Sequence, residues 1–158
     1  MPEDITVEKR DPQFVVSTRF DCTARAVKDH FEKMLPPVAA YVEAHDGEVN
    51  GPPFMRYHAV FDERFFLEVG LPVEEPIEAK AMFESNELPG GHAVVTTHIG
   101  PYKKLGETHR RVREWIRESE EFKPAGAAWD FYLDNPEDSD NDNQRTRVVY
   151  PVEKTAED

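Results

Sequence analysis

The chain has 158 residues, 39% of them hydrophobic, and its 32 acidic and 19 basic residues give a net charge of −13. That charge disfavours a binding surface for nucleic-acid phosphates. No apolar run is long enough to span a membrane, the N-terminus lacks the features of a secretory signal, and the lone Cys22 cannot form an internal disulfide. We therefore expect a cytoplasmic protein that contacts neither membranes nor nucleic acid directly.

The first half of the chain predicts two strands, a helix and a hairpin. Segments 5–9 and 14–20 have the composition of strands. A helix follows, with an apolar stripe at helical spacing. Pro36 and Pro37 fall inside that stripe, and proline removes backbone donors, so we expect a kink or a break there. Strands are then expected at 55–61 and 65–70, joined by a hairpin turn.

The second half predicts the same order of elements. Strands are expected at 79–87 and 92–99, and Gly100-Pro101 begins a helix. Its apolar face contains Leu105, Thr108, Val112, Trp115 and Ile116. Segments 127–133 and 145–152 form the final hairpin. Their connection, 134–143, is acidic and polar, and we expect it to be mobile or to extend from the body.

The two halves also resemble each other in sequence. FVVSTRF, which begins at Phe14, reappears as AVVTTHI half a chain later, and Pro72-Val73-Glu74 reappears as Pro151-Val152-Glu153 at the same spacing. We expect one domain over 1–158, built from pseudo-repeats at about 5–74 and 80–153. The predicted fold is α+β: two duplicated β-β-α-β-β halves with pseudo-twofold symmetry, which match Val16 with Val95. An antiparallel-rich curved sheet would carry both helices on one face, with a ligand cleft between the halves.

Several short motifs recur in a family-like order. They are Pro89-Gly90-Gly91, His98-Ile99-Gly100-Pro101-Tyr102, Trp129-Asp130-Phe131-Tyr132 and Pro151-Val152. In this order they resemble the GyrI-like small-molecule-binding domain, which is also the effector-binding module of MerR- and AraC-type multidrug regulators. The resemblance covers nearly the whole chain and implies a free-standing form without a DNA-binding helix-turn-helix. It implies binding of a small hydrophobic molecule, cationic or aromatic, for sequestration or sensing, and no cofactor.

The motif around Asp130 carries the predicted site. In a strand, Asp130 and Tyr132 point to one face, whereas Trp129 and Phe131 point to the other. We expect the large apolar set to face the helices and Asp130 to face the cleft. The resemblance implies an aromatic-lined pocket in which a Glu at this position attracts cations, and Asp is one methylene shorter. As an alternative, Asp130 is solvated or pairs with Arg19 or Arg56.

Three further aromatic residues complete the predicted ligand-binding set. Tyr57 falls opposite Tyr132 when the two hairpins are aligned, although core packing is an alternative. Tyr102 stands at the start of the second helix, where its hydroxyl reaches the cleft or bonds to the backbone. Trp129 lies either in the core or at the rim of the cleft. We expect His98 to have a structural role in the turn before the helix.

Two other classes of function stay open. Some GyrI-like relatives hydrolyse cyclopropane-bearing compounds, so Asp130 with Tyr132 or Tyr102 could orient a water molecule for hydrolysis. Alternatively, the acidic surface reflects DNA mimicry, with a protein partner such as DNA gyrase, or adaptation to high salt. The six histidines show no metal-ligand spacing, so no metal site is predicted.

Overall fold

The computed structural model describes residues 4–134 and 143–155. Among these residues no helix is long and apolar enough to cross a membrane. The elements, in chain order, are β1 Thr6–Arg10, β2 Gln13–Thr23, α1 Val27–Ala44, β3 Phe54–Phe61, β4 Arg64–Pro72, β5 Phe83–Leu88, β6 Gly91–Ile99, α2 Leu105–Glu118, β7 Phe122–Pro124, β8 Trp129–Tyr132 and β9 Arg145–Lys154. They divide into two compact units, Pro12–Pro89 and the rest of the chain, which we name the α1 unit and the α2 unit after their helices.

The α1 unit is an antiparallel sheet with one helix against it. Its strand order is β3-β4-β2-β5. Strand residues Val16 and Leu71 pack with the helix residues Val38 and Val42 in one buried cluster. The predicted hairpin is confirmed, because β3 and β4 are joined by a two-residue turn in which Asp62 has a φ of 52°. The apolar stripe of α1 is therefore what fixes the helix to this sheet.

The α2 unit has the same plan. Its strand order is β1-β6-β9-β8, again antiparallel, and the short β7 pairs with the far end of β9. Helix α2 buries its apolar side chains, Leu105, Val112 and Ile116, in a cluster with Val94 of β6 and Val148 of β9. The predicted helix α2 and the predicted strands β6, β8 and β9 are confirmed, whereas β7 was not predicted.

The two units share a topology that the sequence halves only partly define. The α+β class is confirmed, as is the β-β-α-β-β order of the first half; the second half has the same order with the additional short strand β7 after its helix. However, β1 pairs with β6 and β5 pairs with β2. Each half of the sequence therefore contributes its first strand to the sheet of the other unit. A common origin of the halves by duplication stays a prediction.

The register of the strands corrects one of the predicted matches. Val16 lies opposite Leu71, and it is Val94 that lies opposite Tyr150. Both valines pack against the helix of their own unit, so Val94 takes the place of Val16 and the predicted match with Val95 is wrong by one residue. Because side chains alternate along a strand, that single step places Val95 on the opposite face. Pro72 and Pro151 do hold matching positions, opposite Val15 and Ala93.

Of the kink or break predicted at Pro36-Pro37, the break is wrong, because α1 runs through both prolines as one helix. The kink stays a prediction. Proline in a helix leaves the carbonyl four residues earlier without its donor. Those carbonyls belong to Glu32 and Lys33, which are exposed, as are both prolines. Water can therefore replace the missing donors, and the apolar stripe holds the helix together.

Two other segments differ from expectation. The strand predicted at 79–87 begins only at Phe83, because a turn precedes it: Ala81 has a φ of 60°, and the Phe83 amide donates to the Lys80 carbonyl. Of the predicted acidic loop 134–143, residues 135–142 lie outside the described part of the chain.

A glycine in β4 provides a test of the packing in the α1 unit. A Cβ added at Gly70 would stand 2.2 Å from the Val16 carbonyl oxygen, whereas one added at the exposed Gly106 of α2 meets nothing within 4 Å. We expect Gly70→Ala to lower the free energy of unfolding by more than about 2 kcal/mol, since the neighbouring backbone must move. Gly106→Ala should raise it by up to about 1 kcal/mol. Urea unfolding measures both, and equal effects would contradict the register between β2 and β4.

Candidate functional site

Asp130 is fully buried in β8, at 0% exposure, on the face of the sheet that α2 covers. Its neighbour across the strand pair is Val148, which packs in the α2 core. Its Oδ1 atom lies 2.8 Å from Nε2 of His109, which projects from α2 and is itself buried. The site is therefore an acid–imidazole pair held between a strand and a helix.

This geometry overturns the predicted orientation of β8. We expected Trp129 and Phe131 to face the helices, and the structure places Asp130 and Tyr132 on that face instead. The physical reason is that the buried side of α2 is partly polar, since it includes Thr108 and His109. A helix with buried polar groups needs polar partners in the sheet. Large apolar residues do not reveal the helix-facing side here, because both faces of β8 are buried.

The pair continues outward through hydrogen bonds. His109 Nδ1 lies 2.7 Å from the Tyr150 hydroxyl, and Arg113 donates to that hydroxyl oxygen at 3.2 Å. With the proton on Nε2, each group donates to the next, from the exposed Arg113 through Tyr150 and His109 to Asp130. Arg113 follows His109 by one helical turn, so α2 positions both ends of this relay. Both ring nitrogens of His109 are thus occupied.

Two tyrosines of the predicted set lie beside this face. Tyr132 follows Asp130 by two residues on β8, and its ring meets that of Tyr102 edge to face, with centroids 5.4 Å apart. The Tyr102 hydroxyl accepts a hydrogen bond from Gln144 at 3.0 Å. Burial is the main cause that raises the pKa of Tyr102 to about 12, and the negative charges of Asp134 and Asp130 add to it. The field of Asp130 therefore acts on Tyr102, which stays neutral at physiological pH.

The other two predicted residues lie elsewhere. Trp129 is fully buried on the face of β8 opposite Asp130, where it meets Phe131 edge to face at 6.4 Å. It points away from the carboxylate, as strand alternation predicts, and it holds the core position that was one of its two expected places. A role for Trp129 in ligand binding stays a prediction. Tyr57 belongs to the α1 unit, half-buried on β3 opposite Leu67, and its role in the site stays a prediction. His98 bonds to Thr108 and Pro101, consistent with the expected structural role.

Sequence reasoning missed a second buried carboxylate, Glu68, in the α1 unit. It is 1% exposed and accepts hydrogen bonds from Ser17, from His58 at 2.6 Å and from Asn86 at 3.2 Å. His58 is the extra residue of a bulge in β3, which turns it toward Glu68. Burial raises the pKa of Glu68, but the hydrogen bonds outweigh it and hold the pKa below its ordinary value. These partners come from three strands, so spacing along the sequence gives no sign of them.

Within residues 4–134 and 143–155, no group of three or more His, Cys, Asp or Glu side chains could hold a metal ion. The titratable groups just described are paired with each other, with hydroxyls or with amides. The chemistry that this arrangement offers is therefore that of buried charge and aromatic rings.

Comparison with known proteins identifies the family. The GyrI-like small molecule binding domain matches residues 4–153, and the chain belongs to this family. No curated protein sequence matches the chain. The fold superposes on the crystal structure of the EcmrR C-terminal domain with a TM-score of 0.83 and 21% identity, covering 98% of this chain and 100% of that one. It superposes equally on EcmrR in a DNA complex, at 19% identity, covering 96% of this chain but only 58% of that one.

Two more distant structures share the fold. One is SAV2435 bound to tetraphenylphosphonium, with a TM-score of 0.61 and 12% identity, covering 95% of this chain and 94% of that one. The other is a hydrolase from Listeria innocua, with a TM-score of 0.66 and 11% identity, covering 96% and 93%. At these identities the likeness concerns the fold alone.

A double-mutant cycle tests the buried pair. The cycle compares Asp130→Asn, His109→Gln and the double variant in urea unfolding. We expect a coupling free energy of about 1–3 kcal/mol, because each single change leaves the other group buried without its partner. The exposed pair Lys123 and Glu153, 3.4 Å apart, is the control. Its coupling should stay below about 1 kcal/mol. Equal coupling in the two cycles would contradict a desolvated Asp130–His109 pair.

The second carboxylate predicts a pH dependence of stability. A carboxyl group whose pKa is lower in the folded state than in the unfolded state stabilises the folded state at a pH above its unfolded pKa. That stabilisation is lost as the pH falls through its folded pKa. Wild type should therefore lose more stability than Glu68→Gln between about pH 6 and pH 3. Urea unfolding across that range measures the difference. Parallel curves would show that the hydrogen bonds to Glu68 do not favour its ionised form.

Proposed function

We propose that the chain binds small lipophilic cations at Asp130, for sequestration or sensing. The observation that carries this proposal is a carboxylate with 0% exposure whose partner, His109, comes from a helix. An ionised carboxylate is costly to bury, and a positive charge beside it offsets much of that cost. A cation that enters the site would therefore meet a desolvated negative charge, whose attraction is stronger than that of a carboxylate in water.

The neighbouring aromatic rings suit the same ligand. Tyr102 and Tyr132 meet edge to face near the carboxylate, and the raised pKa of Tyr102, caused mainly by burial, keeps that residue uncharged. The faces of such rings attract cations, and their area buries apolar groups attached to the charge. A quaternary or phosphonium centre with aromatic substituents combines both properties. It also cannot form hydrogen bonds, so it needs no further polar partner.

His109 sets the condition for binding. In the structure its imidazole occupies the Oδ1 side of Asp130 at 2.8 Å, so a cationic centre must take its place. The Tyr150 hydroxyl holds the other ring nitrogen and is itself held by Arg113, so the imidazole would stay on α2 when it leaves the carboxylate. Binding then requires a small displacement of α2 rather than a change in the strands of the sheet.

The family adds support without naming the ligand. Its model describes small-molecule binding, and the distant relative SAV2435 was solved with tetraphenylphosphonium bound. Tetraphenylphosphonium is therefore the first probe to use. The side chain of Asp130 is one methylene shorter than the Glu of the family pattern. We therefore expect the cation to bind closer to β8 in this chain than in relatives that carry Glu.

Calorimetric titration of a charged and a neutral ligand tests the proposal. Tetraphenylphosphonium is compared with triphenylphosphine oxide, which carries three of the same rings without the charge. Asp130→Asn should weaken the phosphonium on the order of a hundredfold, because a buried charge contact is worth a few kcal/mol, and should change the neutral ligand far less. Tyr132→Phe keeps the ring and should have a smaller effect.

Glu68→Gln is the matched control, since it converts a buried carboxylate to an amide in the α1 unit. It should leave both affinities unchanged, and thermal unfolding of every variant checks the fold. Equal loss of the two ligands in Asp130→Asn would show that Asp130 positions the strand. No loss of either would place it outside the site.

The same samples separate binding from hydrolysis, the activity named for the structural neighbour from Listeria innocua. Each is incubated with an electrophilic cyclopropane, and the product is followed by mass spectrometry. We expect no turnover above that of buffer, because both nitrogens of His109 are engaged. Turnover by wild type that Asp130→Asn abolishes would replace the binding role with a hydrolytic one.

A further inference from the structure

A cavity of about 530 Å³ opens in the α2 unit, away from the Asp130 site. Its size is within the range of small-molecule pockets. Its lining comes from β6, from β9, from β1 and from the residue that precedes β1: Asp4, Thr6, Glu8, Val95, Thr96, Thr97 and Arg147. This lining is polar and includes both signs of charge.

The strand register explains how these side chains come together. Thr6 lies opposite Val95 on the neighbouring strand, and Thr97 lies opposite Arg147 on the next. Residues two apart share a face, so Asp4, Thr6 and Glu8 form one row, Val95 and Thr97 a second, and Arg147 begins a third. Val94 packs against α2, which puts the side chains of its neighbour Val95 and of Thr97 on the opposite face of the sheet.

Arg147 is the positively charged residue of the cavity lining. It is half-buried, and within residues 4–134 and 143–155 its guanidinium makes no hydrogen bond or ion pair. Guanidinium offers a planar fork of donors that matches a carboxylate. The Thr97 side chain stands directly opposite on β6 and supplies a hydroxyl as a further donor. One end of the cavity is therefore suited to a carboxylate.

The other end is acidic. Glu8 is paired with Arg10 at 2.9 Å, so its charge is largely compensated. The exposed carboxylate of Asp4 has no such partner among the described residues. Strands β1 and β9 are separated by β6, which puts the acidic row and Arg147 roughly 10 Å apart across a floor of Val95 and Thr97. A simple anion or cation would meet repulsion from one end.

We propose that this cavity binds a small dipolar molecule, an amino carboxylate, with its carboxylate on Arg147 and Thr97 and its ammonium group on the acidic row led by Asp4. The apolar part of the ligand lies over Val95. The separation of the two ends favours a chain of several methylene groups over glycine. This site is independent of Asp130, which faces the other side of the same sheet.

Titration calorimetry with a series of ligands tests the assignment. The probes are glycine, 4-aminobutanoate and 6-aminohexanoate, with hexanoate and hexylammonium as ligands that carry one charge each. At low ionic strength, 6-aminohexanoate should bind at least about tenfold more tightly than hexylammonium, which lacks the carboxylate contact with the half-buried Arg147. It should bind about threefold more tightly than hexanoate, because a charged contact with the exposed Asp4 is worth less than about 1 kcal/mol. Glycine should bind more weakly than the longer members. Equal affinity for 6-aminohexanoate and hexanoate would overturn the proposal, as would no measurable binding of any amino carboxylate.

Variants then assign the two ends. Arg147→Gln should weaken 6-aminohexanoate at least about tenfold without weakening hexylammonium, and Asp4→Asn should weaken 6-aminohexanoate without weakening hexanoate. Arg145→Gln is the matched control, because Arg145 is on the same strand but pairs with Asp134 outside the cavity. Arg145→Gln should bind 6-aminohexanoate like wild type. Asp130→Asn should do the same, because that substitution affects only the proposed cation site on the other face of the sheet. Unchanged binding by Arg147→Gln, with its melting temperature retained, would show that the cavity does not select this ligand.

Discussion

The contact between Asp130 and His109 is the constraint on which the functional arrangement depends. It joins β8 to the partly polar buried side of α2. Loss of either partner would leave the other as a buried polar group without its hydrogen bond. The relay through Tyr150 to Arg113 extends this coupling to the surface of the helix. The position of α2 and the charge in the site are therefore linked.

The two buried carboxylates show why only one is suited to binding a ligand. The partners of Glu68 stand on β2, β3 and β5, so exchanging them would require breaking strand pairs of the sheet. The partner of Asp130 belongs to α2, which packs on the sheet through side-chain contacts. A helix can shift by small amounts while the hydrogen bonds of the sheet stay intact. On our proposal, a buried carboxylate is structural in the α1 unit and able to exchange its partner for a ligand in the α2 unit.

The sequence predicted the elements well and their faces less well. Hydrophobic spacing located both helices and the strands of the two hairpins, because those patterns are local. The break allowed for at Pro36-Pro37 is absent, because exposed carbonyls tolerate the missing donors. The match of Val16 failed because a single-residue step reverses the face. The orientation of Asp130 depended on polar residues of α2 and could not be read from β8 alone. Glu68, His58 and Ser17 meet only through the register of three strands, so no local pattern could predict their contact.

Nitrogen NMR of the His109 ring tests the central claim most directly. In protein with ¹⁵N-labelled histidine, addition of tetraphenylphosphonium should shift the Nε2 resonance of His109 as its hydrogen bond to Asp130 is replaced by the cation. Triphenylphosphine oxide should leave that resonance unchanged, and Asp130→Asn should show the altered resonance without any ligand. If the cation binds while the His109 resonances remain those of the free protein, Asp130 is not its counter-charge and the account is wrong.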